Sequence, residues 1–97
     1  REAGLRGADL READLREADL RGANLDYSCW PLWCGGLSVH IDNKLAIQLL
    51  FHLLQNVKCS PYVSDNIKET LLKKELIDIA NQFHQKDVDR IVFEEGK

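Results

Sequence analysis

A five-residue unit repeats without interruption between residues 8 and 22, where the chain reads ADLRE ADLRE ADLRG. The pattern begins at Ala3 with AGLRG, continues from Ala23 with ANLDY, and degenerates to SCWPL at residues 28–32. A period of five fits neither the 3.6-residue turn of an α-helix nor the two-residue alternation of a strand. We therefore expect the chain to change direction once in every unit.

Alanine and leucine recur at fixed places in the unit, two residues apart. Small side chains fit beside tight corners, and leucine side chains fill a narrow interior. The predicted core of the repeat consists of Leu5, Leu10, Leu15, Leu20, Leu25, Trp30, Ala8, Ala13, Ala18 and Ala23.

Charged residues occupy the other places of the unit and are expected to face water. We predict that they form the surface that contacts a partner protein, and they are Arg6, Asp9, Arg11, Glu12, Asp14, Arg16, Glu17, Asp19 and Arg21. A charged amphipathic α-helix is the alternative, because Ala, Leu, Arg and Glu all favour helices. Such a helix would have no continuous apolar face, since residues five apart wind around its axis. We therefore favour the turning structure.

The A-[DN]-L-x-x pattern of residues 3–32 resembles the pentapeptide-repeat family. The resemblance implies a right-handed quadrilateral β-helix with leucine and alanine inside. Six units amount to about one and a half coils, so we expect a β-helix that is truncated from a longer repeat or stacked at its open end. The predicted fold class is mixed, with the short β-helix over residues 1–32 and a cap loop and helical bundle over residues 33–97. The chain opens at Arg1 in mid-pattern, which also leads us to expect a longer parent repeat.

Residues 30–36, WPLWCGG, interrupt the repeat and are expected to cap it, because proline and glycine break pairing and tryptophans cover apolar surface. Asp42 is the predicted N-cap of a helix that ends near Gln55 or Asn56. This helix is apolar around most of its circumference and should be contacted from more than one side. The candidate dimer or cap interface consists of Trp30, Trp33, Ile47, Leu49, Leu50, Phe51, Leu53 and Leu54.

Ser60 and Pro61 predict the start of a second helical region, which extends to about Gln85. Its apolar residues change sides midway, so we expect a break between Leu72 and Lys74 that leaves two short helices. The segment 88–93 is expected to add a last turn or a short strand. Residues 28–36 together with LLFH at residues 49–52 look similar to the C-terminal helical extensions of bacterial and phage pentapeptide-repeat proteins. That similarity implies a cytoplasmic protein of a bacterium or of a phage-infected host.

The composition argues against several classes of function. The formal net charge of −3 leaves no basic surface for nucleic acid. The longest apolar run is shorter than the roughly 20 residues of a membrane span. The sequence has no nucleophile elbow and no phosphate-binding loop, so we expect no catalytic residue and no cofactor.

The chain has three cysteines, an odd number that favours reduced thiols. A disulfide between Cys29 and Cys34 is left open. These two cysteines with His40 and His52 could be imagined as zinc ligands, but their spacing is unusual and no second paired motif follows. We expect no metal site.

The leading interpretation is a non-enzymatic scaffold that binds an unidentified protein partner through its charged surface, while the helical extension caps the repeat and forms a homodimer. The family resemblance suggests an alternative, a DNA mimic that inhibits a topoisomerase such as gyrase or a host defence nuclease. A mimic needs a dense negative face. Residues 1–27 carry five arginines against seven acidic residues, which favours the scaffold.

Overall fold

The structure is a computed structural model that describes residues 4–94. The predicted start of the repeat at Ala3 lies outside this range, as do residues 95–97, the last three of the predicted cap loop and helical bundle. One compact unit ends at Leu45 and a second begins at Ala46. The helical elements of the described residues are a 3-10 turn at Cys34–Gly36 and helices α1 at Asn43–Cys59, α2 at Asp65–Leu71 and α3 at Lys74–Ala80. None of these helices has both the length and the apolar character needed to cross a bilayer.

The repeat segment turns once in every five-residue unit, as the period predicts. The N–H of Ala8 donates to the carbonyl of Leu5 at 3.0 Å, and the same bond recurs in each unit up to the one from Ser28 to Leu25 at 3.1 Å. Each of these bonds closes a β-turn. Gly7 lies at the third position of the first turn with φ of +75°, a conformation that glycine adopts without strain.

The chain returns beside itself about twenty residues later. Single parallel bridges join Asp9 to Cys29 and Asp19 to His40, and another joins residues 4 and 24. Two residues of each unit are used by the turn, so pairing is confined to isolated residues and does not extend into a ladder. We call each twenty-residue passage of the chain a circuit.

The predicted right-handed quadrilateral β-helix is wrong. Residues 4–94 contain no β-strand and no sheet from which such a helix would be built, and their regular secondary structure is helical. The repeat period indicates how often the chain turns, but it does not indicate how many residues between turns form backbone pairs with the next circuit. The alternative of an α-helix over the repeat is also wrong, since the described part of residues 4–32 consists of turns, bridges and irregular backbone.

The interior of the first unit is formed from the end of the repeat and the residues that follow it. Leu20, Ala23 and Leu25 are buried, and Pro31 is fully enclosed. The other predicted core residues are half-buried, and they are Leu5, Leu10, Leu15, Trp30, Ala8, Ala13 and Ala18.

The predicted N-cap of α1 is confirmed, because the carboxylate of Asp42 accepts a hydrogen bond from the N–H of Leu45 at 3.0 Å. The helix continues to Cys59, beyond its predicted end. The break predicted between Leu72 and Lys74 is also confirmed, since α2 ends at Leu71 and α3 begins at Lys74.

The predicted start of the second helical region at Ser60 is wrong. The hydroxyl of Ser60 accepts from the N–H of Tyr62 within a turn, and α2 begins only at Asp65. Its N-cap is Ser64, whose side chain accepts from the N–H of Ile67 at 3.3 Å. A serine side chain stabilises a turn as readily as the start of a helix, so Ser60 and Pro61 alone do not distinguish a turn from a helix start.

The core of the second unit is a cluster of buried apolar residues from α1, α3 and the tail, and its members are Phe51, Leu54, Ile77, Ala80, Phe83 and Ile91. The tail forms no helix or strand within residues 88–94, so that prediction is wrong. Instead the side chain of Asn81 donates to the carbonyl of Ile91 and accepts from its N–H, both at 2.8 Å. Arg90 donates to the carbonyls of Asn81, Phe83 and Gln85, which follow the end of α3.

Candidate protein-binding surface

Three Asp–Arg pairs stand on successive turns of the repeat segment. In the first pair, Oδ1 of Asp9 accepts from the backbone N–H of Arg11 at 3.2 Å and from its Nε at 2.8 Å, while Oδ2 accepts from Nη2 at 2.7 Å. The backbone bond fixes the turn, and the guanidinium then meets the carboxylate with two parallel bonds. Both side chains are therefore held in one geometry.

The same arrangement recurs five residues later and again after five more. Asp14 binds Arg16 through bonds of 3.2, 2.9 and 2.6 Å, and Asp19 binds Arg21 through bonds of 3.1, 2.8 and 2.7 Å. Asn24 makes only the corresponding bond to the backbone, because its Oδ1 accepts from the N–H of Asp26 at 3.0 Å. The repeat thus reproduces the contact wherever it supplies aspartate and arginine two residues apart.

The pairing also sets the charge state of these groups. The side-chain hydrogen bond from Arg16 lowers the pKa of Asp14 to about 2. The pKa values of Asp9 and Asp19 are lowered for the same reason, by Arg11 and Arg21. Near neutral pH both side chains of each pair are therefore ionised, and the net charge of the pair is zero.

The pairs do not lie in one row. Because the chain returns beside itself only after about twenty residues, groups five residues apart stand on different turns of one circuit. All nine residues of the predicted partner-facing surface are exposed. The structure thus places them in water, brings six of them together as pairs, and distributes the pairs around the segment.

Three charged residues of this surface are outside the pairs. The guanidinium of Arg6 lies 4.7 Å from the ring centroid of Tyr27, a cation–π contact. Glu17 lies 3.4 Å from Nε2 of His40, whose ring is charged only when protonated. Glu12 has no ion-pair partner within residues 4–94. Among the described residues, Glu12 and Glu17 thus have no permanent counter-charge.

Exposed apolar residues are the feature that the sequence interpretation missed. Leu32 is 94% exposed, Leu37 is 62% exposed, and Trp33 is 45% exposed, although a cap was expected to cover such side chains. Trp30, by contrast, is half-buried. The signal was available in the repeat, because Leu32 and Leu37 lie one circuit after the charged turn residues Glu12 and Arg16.

The predicted interface on α1 contains residues of very different exposure. Phe51 and Leu54 are buried in the core of the second unit, and Leu53 is 50% exposed. Ile47, Leu49 and Leu50 are half-buried. The homodimer stays a prediction. A second copy would contact α1 at Leu53 and at the exposed part of Leu49.

The cysteines carry free thiols. Cys29, Cys34 and Cys59 are all exposed, and Cys29 is not joined to Cys34. Within the described range, no three His, Cys, Asp or Glu side chains converge as a metal site would require.

Comparison with known families gives one match. The family model described as pentapeptide repeats (8 copies) matches residues 1–29, which is 29 of the 97 residues. No curated protein and no solved structure matches the chain. The similarity of the helical region to bacterial and phage extensions stays a prediction.

Proposed function

Because residues 1–29 make this chain a pentapeptide-repeat protein, we propose that it is a non-enzymatic scaffold whose exposed charged turns bind a protein partner. The observation that carries the proposal is the set of three bidentate Asp–Arg pairs. Charged side chains that are already fixed lose little conformational entropy when a partner binds. A surface of this kind contributes more to specificity for the charge pattern of the partner than to affinity.

The pairing favours a scaffold over a DNA mimic. A mimic must present a dense negative field, but each of the three aspartates here lies within 2.7 Å of a guanidinium nitrogen. The pairs also stand on different turns, so their residual fields do not add along one face. Glu12 and Glu17 alone supply too little negative charge to imitate a phosphate backbone.

The test compares two charge-neutralising variants of the purified chain. Replacing both Arg11 and Arg16 with glutamine should abolish the capture of a partner from a bacterial lysate, because two pairs lose their fixed geometry. The matched control replaces Lys73 and Lys86 with glutamine, since both are exposed basic residues of the second unit. The proposal fails if the control loses the same protein as the arginine variant.

A DNA-supercoiling or DNA-cleavage assay separates the scaffold from the mimic. The scaffold should leave both reactions unchanged. Inhibition that grows when Arg11 and Arg16 become glutamine, which leaves the acids uncompensated, would favour the mimic and contradict the scaffold.

The homodimer is part of the same proposal and rests on Leu53, a half-exposed leucine in a helix whose neighbouring leucines are mostly covered. Sedimentation of the wild type should give a dimer that Leu53→Asp dissociates. Leu53→Asp should leave the helical signal in circular dichroism unchanged, because Leu53 is not a member of the buried core. A wild-type monomer would contradict the dimer.

A further inference from the structure

A cavity lies in the first unit where the second circuit passes beside the first. Its volume is about 440 Å³, within the range of about 300–1,000 Å³ that is usual for small-ligand sites. We call it the junction pocket, and it is lined by Glu17, Asp19, Arg21, His40 and Ile41. The backbone fixes the two circuits here, because the N–H of Leu20 donates to the carbonyl of His40 at 2.9 Å and the N–H of His40 donates to the carbonyl of Ala18 at 2.9 Å.

The imidazole of His40 lies beside two carboxylates. The parallel bridge between Asp19 and His40 places their side chains on the same side of the backbone. Nε2 of His40 lies 3.4 Å from Oε1 of Glu17. The hydrogen bonds from Arg21 lower the pKa of Asp19, and the nearby His40 lowers it further. The pocket therefore joins side chains from both circuits into one site.

Glu17 holds a backbone conformation that is costly for its residue type. Its φ is +64°, at the third position of a turn, and side chains with a Cβ rarely adopt this value. The corresponding positions of two other units, residues 7 and 22, are glycines. The N–H of Glu17 donates to the carbonyl of Ser38 at 2.9 Å, which holds the turn against the second circuit. A side chain held at such a cost is a candidate for a functional role, and here its carboxylate lines the pocket.

The charges of the pocket do not cancel. Asp19 is paired with Arg21, whereas Glu17 has only His40 within ion-pair distance among the described residues, and its side chain is 80% exposed. Two carboxylates thus accompany one guanidinium, so the pocket is negative whenever His40 is neutral. Ile41 supplies an apolar wall that is 37% exposed. A lysine side chain matches both properties, because it combines an aliphatic stem with a terminal positive charge.

We propose that the junction pocket binds a lysine side chain of the protein partner. The ammonium group pairs with Glu17, and the aliphatic stem packs against Ile41. A guanidinium fits less well, because it prefers both oxygens of a carboxylate and Oε1 of Glu17 already faces His40. A phosphate group would meet the net negative charge. The proposal rests on the scaffold function and specifies which side chain of the partner is recognised.

The probe is N-acetyl-lysine amide, titrated into the full chain at pH 8, where imidazoles are neutral. Nuclear magnetic resonance follows the side-chain signals of His40 and Ile41, since the dissociation constant of an exposed ion pair should be roughly millimolar. N-acetyl-norleucine amide provides the stem without the charge, and ammonium chloride provides the charge without the stem. The lysine probe should shift both signals and bind at least about threefold more tightly than either counterpart.

Glu17→Gln tests the carboxylate without changing the size of the side chain. It should weaken binding of the lysine probe about threefold, the usual effect of losing one exposed ion pair. The matched control is Glu12→Gln, which makes the same change of charge at the corresponding position of the preceding unit, outside the pocket. Glu12→Gln should leave the affinity unchanged.

His40→Lys tests the same carboxylate by competition. It places an internal ammonium group beside Glu17 and should weaken binding of the lysine probe at least about threefold. The matched control is Leu32→Lys, which adds the same charge at a residue that is 94% exposed and outside the pocket. Leu32→Lys should bind the lysine probe as the wild type does. Urea unfolding followed by circular dichroism establishes that each variant is folded during the titration.

Three results would overturn the proposal. The first is an affinity for the lysine probe that equals the affinity for norleucine amide or for ammonium. The second is an equal effect of Glu17→Gln and Glu12→Gln. The third is unchanged binding by His40→Lys. If the lysine probe fails to bind while Arg11 and Arg16 remain necessary for partner capture, the scaffold stands and only the pocket proposal falls.

Discussion

The carboxylate of Asp42 accepts a hydrogen bond from the backbone N–H of Gly22 at 2.8 Å. Its other oxygen accepts from the N–H of Leu45 at 3.0 Å and caps α1. One side chain thus joins a turn of the repeat to the first turn of a helix. The bond from Gly22, followed by the bond from Leu45, lowers the pKa of Asp42, because both stabilise the ionised form.

Asp42→Ala should therefore lower the free energy of unfolding by about 1–2 kcal/mol, the usual effect of losing a helix cap. Asp42→Asn keeps one good acceptor and should have a smaller effect. Urea unfolding followed by circular dichroism measures both. Asp89→Ala is the control, since Asp89 is exposed and lies outside the helices. Equal unfolding free energies for Asp42→Ala and Asp89→Ala would contradict the dual role of Asp42.

The pairing of Asp14 with Arg16 predicts a dependence of stability on pH. A carboxyl group whose pKa is lower in the folded than in the unfolded chain stabilises the fold above its unfolded pKa, and this contribution is lost as the pH falls through the folded pKa. The pKa of Asp14 falls from 3.8 to about 2 on folding. Asp14→Asn should therefore melt at a lower temperature than the wild type at neutral pH, and the two should converge between about pH 4 and pH 2.

The matched control for this experiment is Glu12→Gln, because Glu12 has no ion-pair partner in the described chain. It should not reproduce the lower melting temperature of Asp14→Asn at neutral pH, because it breaks no ion pair of the described residues. High salt should reduce the effect of Asp14→Asn, since the pair is exposed and therefore screened. A constant difference between Asp14→Asn and wild type down to pH 2 would show that the ion pair contributes nothing.

Gly35→Ala should displace the indole of Trp33. The added Cβ would collide with the ring and approach the carbonyl oxygen of Ala13 to 2.8 Å. Overpacking of this kind destabilises proteins by about 1–3 kcal/mol. Chemical unfolding measures the loss, and tryptophan emission should shift to longer wavelength. Gly4→Ala should change neither quantity, because nothing lies within 4 Å of its added Cβ.

Asn81→Ala should release the tail from α3. It removes two hydrogen bonds of 2.8 Å to the backbone of Ile91, and their loss should lower the unfolding free energy by about 2 kcal/mol. Hydrogen exchange of the Ile91 amide should accelerate along with this change. Gln82→Ala is the neighbouring exposed control and should leave the exchange rate unchanged. Slow exchange at Ile91 in the Asn81 variant would mean that the apolar core alone holds the tail.

Leu54→Ala should destabilise the second unit by about 2–5 kcal/mol, because Leu54 is fully buried among Phe51, Ile77 and Phe83. Leu53→Ala, at the adjacent half-exposed position, should lower the free energy of unfolding by less than half of that amount. Thermal unfolding of the two variants measures the difference. Similar losses would contradict the assignment of Leu54 to the core.

The sequence predicted features that depend on near neighbours. Asp42 was identified as a cap because the bond that it makes reaches only three residues along the chain. The break before Lys74 followed from apolar residues that change sides on a helix. In both cases the relevant contact or face lies within one or two helical turns.

Features that depend on how the circuits meet were not predicted. The five-residue period indicated turns correctly, but the extent of pairing between circuits is set by hydrogen bonds between residues about twenty apart. The Asp–Arg contacts need a turn that brings residues two apart together, and no helix or strand pattern suggests this. The exposure of Leu32 and Trp33 was missed because aromatic and apolar residues after a repeat were assumed to cover it.

The three exposed thiols divide between the units, with Cys29 and Cys34 in the first and Cys59 in the second. None is buried in a core or joined in a disulfide, so each can be replaced by serine without leaving a large cavity. A variant that keeps one thiol in each unit can carry a pair of spin labels or fluorophores. The distance between the labels would then measure the separation of the two units in solution.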